Sequence, residues 1–170
     1  MKKRTLAIVL ALVFIFLTAC GAVNVTLTWP LALLGVETVE DVDSSAVFAE
    51  FDVKNYEINE DDTITVTMSK GKYKEMLITL AANVEQTFNE MSSENAYPFI
   101  KQITHNDNFT EITVLVDSAG YYKELFPAFI ELAIGINCVY YNAFAGNSDP
   151  SIIIDIIDAE TREVIESFTY

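Results

Sequence analysis

Basic residues, histidine, cysteine and glycine are all scarce in this chain, and each shortage removes a class of function. Only 10 Lys and Arg face 25 Asp and Glu, a formal net charge of −15. Phosphate backbones are held by clustered Lys and Arg, so nucleic acid is excluded as a partner. Six glycines occur, and none falls in a P-loop, a dinucleotide-binding G-x-G-x-x-G or a G-x-S-x-G nucleophile elbow. A zinc site drawn from one histidine, His105, and one spare thiol would lack ligands. The two cysteines, Cys20 and Cys138, allow one disulfide at most, so a folded domain must rest on its apolar core.

What is present starts at the amino end. Lys2, Lys3 and Arg4 form a positive head, Leu6 to Leu17 is an uninterrupted apolar run, and Thr18 and Ala19 lead to Cys20. This tripartite pattern reads as a secretory signal over residues 1–19, to be set aside before the fold is considered. The alternative is an uncleaved membrane helix with an incidental cysteine, but a run of about twelve residues falls short of the ~20 that span a bilayer. Leu17-Thr18-Ala19-Cys20 resembles the bacterial lipoprotein lipobox. That resemblance implies a diacylglyceryl thioether on Cys20, cleavage before it, and a chain held on the outer face of the bacterial cytoplasmic membrane. Several acyl chains anchor stably where a single myristoyl chain does not. With Cys20 acylated, Cys138 has no partner for a disulfide. Its neighbours in "GINCVYY" suggest a small buried hydrophobe.

Without Lys2, Lys3 and Arg4, seven bases face 25 acids over residues 20–170, a net of −18. Residues 20–24 serve as a lipidated tether, because "GAVNVTLTW" turns alternating at once, with Val23, Val25, Leu27 and Trp29 on one face of a strand. A four-residue tether reaches at most about 14 Å. The remainder, 25–170, reads as one acidic domain. Residues 37–62 hold ten acids and one base, Lys54, and contain a weak amphipathic helix with Val39, Val42, Val47 and Phe51 on one side.

From Val53 the pattern sharpens. "VKNYEIN" and "TITVTM" alternate about the turn "EDD", a hairpin in which Ile64, Val66 and Met68 face one way and Thr63, Thr65 and Thr67 the other. Ser69 caps a helix whose apolar positions recur at Tyr73, Met76, Leu77, Leu80, Val84, Phe88 and Met91. "FIKQITHN" and "TEITVLV" make a second hairpin, and Asp117 or Ser118 caps a second helix. "ITVTMSKGKYKEML" at 64–77 matches "ITVLVDSAGYYKELF" at 112–126, a spacing of 48–49 residues. The match suggests an internal ββα duplication over 53–92 and 99–145. Leu125 to Ala145 carries one charge, Glu131. Pro127, Gly135 and Asn137 interrupt the segment and no basic cluster flanks it. It reads as a central buried helix rather than an interfacial patch or a span. "SIIIDIID" and "EVIESFTY" close the chain as a third hairpin. The order ββα-ββα-ββ predicts an α+β, two-layer sandwich: a mostly antiparallel sheet of about six strands with two main helices on one face.

The lipobox, "VTLTWP", "NEDDTITVTMSKGKYKEML", "IKQITHNDNFTEITVLVD" and "DAETREVI" together resemble a group of small lipoproteins of Gram-positive bacteria, some labelled after an antigen I/II amino-terminal domain. The resemblance covers most of residues 20–170 and brings no activity and no functional residue beyond Cys20. Arg162 departs from it, standing where such a turn favours Gly.

Candidate chemistry is sparse. "NEDD", with Asp61 and Asp62, and "HNDN", with Asp107, occupy equivalent hairpin turns and offer oxygens to Ca²⁺, which takes six to eight. Neither has EF-hand spacing, and Asn and Asp are ordinary turn residues. Lys70, Lys72 and Lys74 crowd a helix start against the dipole, so they either pair with nearby acids or form a small anion site. Tyr121-Tyr122, Tyr140-Tyr141 and Tyr97-Pro98-Phe99 suit core packing at one ring and carbohydrate or protein contact at its neighbour. No pair of carboxylates stands out among so many. The expectation is a non-catalytic surface lipoprotein, without cofactor or metal, that binds a protein, peptide or envelope polymer. The competing reading is a Ca²⁺-dependent module or an envelope hydrolase.

Overall fold

The computed structural model describes residues 24–34, 48, 53, 55–93, 95–123, 127–147 and 150–170. The predicted signal over residues 1–19, Cys20 and most of the predicted 39–51 helix lie outside the described residues. Alternation of β-branched residues builds the first sheet from β1 (Asn24–Pro30), β2 (Tyr56–Ile58) and β3 (Thr63–Ser69), antiparallel in the order β1-β3-β2. Period-two patterning turns Trp29, Ile64 and Val66 into the core. The threonines line the other face, where the hydroxyls of Thr28 and Thr65 meet at 3.2 Å and those of Thr26 and Thr67 at 3.3 Å.

Ser69 ends β3 in extended conformation and accepts a hydrogen bond from the Lys72 N–H at 3.2 Å, which starts α1 (Lys70–Met91). The predicted stripe buries Met76, Val84, Phe88 and Met91, with Tyr73, Leu77 and Leu80 half-buried beside them.

The second sheet holds β4 (Ile100–His105), β5 (Glu111–Val116), β6 (Ile153–Asp158) and β7 (Val164–Thr169), in that order. β4–β5 and β6–β7 are the expected antiparallel hairpins, and β5 pairs with β6 in parallel. A parallel neighbour requires a crossover of a dozen or more residues. Here it contains α2 (Ser118–Tyr121), capped by Asp117, and α3 (Pro127–Phe144). The second helix is therefore divided where the first is continuous. Proline has no N–H to donate within a helix, so Pro127 suits the first position of a new one. Gly120 permits the close packing of α2, since a Cβ there would lie 2.6 Å from that of Phe99.

The fold is thus α+β and mostly antiparallel, as expected, with the strands divided between two sheets. The helices join them. α1 gives Met76 to the first core, around Trp29, Ile64 and Val66, and Val84, Phe88 and Met91 to the second. α3 does the same with Phe144 for the first and Ile130, Ile134 and Cys138 for the second. One expectation for α3 changes: it is not buried all round. Phe129, Leu132, Ile136 and Val139 are exposed on its outer side. Among the described residues no helix is long and apolar enough to cross a membrane.

Candidate functional site

The predicted residues are dispersed. Asp61 and Asp62 occupy the β2–β3 turn of the first sheet, and Asp107 the β4–β5 turn of the second. The Asp61 carboxylate accepts from the Thr63 hydroxyl at 2.6 Å, and Asp62 adopts a left-handed φ of 57°. In the second turn Asn106 Oδ1 accepts from the N–H groups of Thr110 (2.9 Å) and Glu111 (3.2 Å). Asn108 Oδ1 accepts from the Thr110 hydroxyl at 2.9 Å. These oxygens close their own turns, the ordinary use of Asx residues. Among the described residues no three His, Cys, Asp or Glu are grouped to hold a metal ion. Lys70 and Lys74 are exposed on the first turn of α1, where Lys72 pairs with Glu75 at 3.6 Å. Such an exposed pair contributes little.

A cleft the sequence does not announce lies between α1 and α3. Leu80, Asn83 and Val84 from α1 meet Asn137, Tyr140 and Tyr141 from α3 around a cavity of about 170 Å³. Both tyrosines are fixed by aromatic neighbours: Tyr140 meets Phe144 with ring centroids 4.9 Å apart, and Tyr141 meets Phe109 at 4.7 Å. Asn137 donates to the Ala133 carbonyl at 2.8 Å. Burial and the neighbouring Tyr141 push the Tyr73 phenol up, while its hydroxyl donates to the Phe144 carbonyl at 3.4 Å. Carboxamides and phenols around aliphatic carbon can hold the edge and face of a neutral polar group. The tyrosine pair and the break at Asn137 were visible in the sequence. Their juxtaposition with Asn83 was not.

A second constellation runs from the core to the surface. Glu131, only 2 % exposed, accepts from the Tyr121 hydroxyl at 2.5 Å, and the same hydroxyl stands 3.2 Å from Glu166 Oε2. Burial raises the Glu131 pKa, the Tyr121 bond opposes that rise, and the Glu166 charge adds to it. Burial and the two carboxylates push the Tyr121 phenol far up. Tyr121 is itself 2 % exposed, whereas Glu166 is exposed on β7, so the group meets solvent on its Glu166 side. Glu131 was conspicuous as the lone charge of its segment; nothing in the sequence named Tyr121 and Glu166 as its partners. Cys138 is fully buried and its thiol is pushed up to about 12 by desolvation, which makes it a packing residue.

No protein-family model matches the chain, and neither a curated protein nor a solved structure is significantly similar to it.

Proposed function

We propose that the chain is a lipoprotein of the outer face of the bacterial cytoplasmic membrane, whose acidic domain binds a protein, peptide or envelope polymer in the α1–α3 cleft. The cleft carries the binding part of this reading. At about 170 Å³ it accepts one ring or side chain of a larger ligand, since whole drug-sized molecules take ~300–1,000 Å³. The anchor rests on the Leu17–Cys20 lipobox and on the resemblance to small Gram-positive lipoproteins.

Two measurements test the two halves. A fatty-acid probe should label the wild-type chain and not Cys20→Ser; label that survives the substitution overturns the anchor. Soluble cell-wall glycan fragments and envelope peptides should shift the side-chain amide resonances of Asn83 and Asn137. Asn137→Leu should weaken their binding about tenfold, equivalent to ~1.4 kcal/mol. Binding that leaves both amides unmoved places the ligand elsewhere. Heat and a raised Tm on adding Ca²⁺ would favour the metal-dependent reading instead.

A further inference from the structure

The outer face of α3 is apolar and carries no charge. Leu132, Ile136 and Val139, spaced four and three residues apart, are 43 %, 58 % and 37 % exposed. At 100° per residue they lie opposite Ile134 and Cys138, which enter the core. Phe129, 64 % exposed, extends the same stripe. The one charged side chain in α3, Glu131, is turned inward. A tyrosine borders the helix: the ring of Tyr170 lies against Gly135, where an added Cβ would meet it at 3.0 Å. An uncharged stripe is unusual on a domain with a net charge of −18 over residues 20–170.

The place where the chain enters the fold indicates what covers this stripe. β1 begins at Asn24, opposite Ser69, the cap of α1. One turn into α1, the Tyr73 hydroxyl reaches the carbonyl of Phe144, the last residue of α3. Just beyond, Gly146 lies beside the Leu27 side chain of β1, with 3.8 Å between that side chain and a built Cβ. Asn24 therefore lies at the end of the molecule where α3 finishes. Cys20 stands four residues before Asn24, and an extended tether of that length spans at most about 14 Å.

We infer that the Leu132–Ile136–Val139 face of α3 rests in the headgroup–acyl boundary of the bilayer to which Cys20 ties the chain. This rests on the lipoprotein reading above. The alternative of a second copy is disfavoured twice. Like charges repel between two such anionic domains, and a stripe of a few half-exposed side chains falls well short of the ~800 Å² that each partner contributes to a standard interface. An uncharged, tyrosine-bordered helix face matches zwitterionic headgroups, the setting in which Tyr accumulates at membrane interfaces.

The test uses Ile136→Trp in the full chain, purified with its native modification and reconstituted in phosphatidylcholine vesicles with brominated acyl chains. Trp29, wholly buried, supplies a constant background, and Val164→Trp on β7, at a site 58 % exposed, is the aqueous control. Once the Trp29 background is subtracted, the expected result is at least a twofold loss of the added indole emission in Ile136→Trp and none in Val164→Trp. Equal, unquenched signals overturn the inference. So does an Ile136→Trp signal that is shielded from iodide without bromine quenching, which would assign the face to a protein partner or a second copy. The mass of the amino-terminal peptide reads acylation separately. If Cys20 bears no acyl chain, the anchoring reading fails; the chain coupled through Cys20 to a maleimide lipid then shows by the same quenching whether α3 meets the bilayer.

Discussion

Glu131 makes stability depend on pH through a single side chain. Its pKa is raised above the ordinary 4.5 by burial first, with the Glu166 charge adding and the Tyr121 bond opposing. A carboxyl whose folded pKa exceeds its unfolded one binds its proton more tightly in the native state. Its contribution is therefore whole below the unfolded value and is lost as pH rises through the folded one. Glu131→Gln keeps an oxygen for the Tyr121 hydroxyl and removes the charge. It should raise Tm near neutral pH, and the gain should vanish as pH falls to about 4. Calorimetry across that range checks this, and a gain of equal size at every pH would show that charge is not its source. Tyr121→Phe strands the carboxylate and should cost about 1.5–3 kcal/mol in denaturant unfolding near neutral pH. Elsewhere single residues hold strained backbone: Arg162, standing where the resemblance favours Gly, has φ 63° in the β6–β7 turn, and Phe109 has φ 54°. Phe109 is a bulky residue in that region, held by stacking on His105 at 4.3 Å and by the edge of Tyr141.

At the scale of the element, α3 has three surroundings around its axis: the second core, the cleft with α1, and an open apolar side. Its register is set by Asn142, 2 % exposed, whose amide donates to the carbonyls of Asn108 (2.8 Å) and Cys138 (3.0 Å) and so ties α3 to the β4–β5 turn. Asn142→Leu removes both bonds and leaves the Asn108 carbonyl without that donor. It should cost about 1–3 kcal/mol, read from the denaturant midpoint, with Asn106 and Phe109 amides losing hydrogen-exchange protection first. Loss spread evenly over the chain would show that Asn142 does not fasten that turn. The helix itself was legible from Pro127 and the long apolar segment. Its open side was not, because one sequence pattern serves both a helix enclosed on all sides and one whose crossover position leaves a side uncovered.

For the whole molecule, two cores share two helices. Met76 with Val84, and Phe144 with Ile134, each lie on one rigid helix that enters both. Neither core can open without exposing part of the other, so unfolding should be a single transition. Trp29 reports the first core by its fluorescence, and Cys138 reports the second by thiol accessibility in denaturant. Both are wholly buried, and their midpoints should coincide. Separate midpoints would make the sheets independent units.

The local pattern determined much of this protein. Period-two runs specified β2–β3, β4–β5 and β6–β7, and Ser69 and the three-four stripe specified α1, because pleat and helical pitch are properties of neighbouring residues. The likeness of Leu17–Cys20 to a lipobox and the anionic balance are likewise read from composition and order along the chain. Only the tertiary structure decided that β6 joins β5 in parallel, that the strands divide into two sheets, and that Tyr121 and Glu166 close on Glu131. Those contacts join residues 10 to 45 positions apart, and their energies depend on which buried surfaces exclude water together, which no local period encodes.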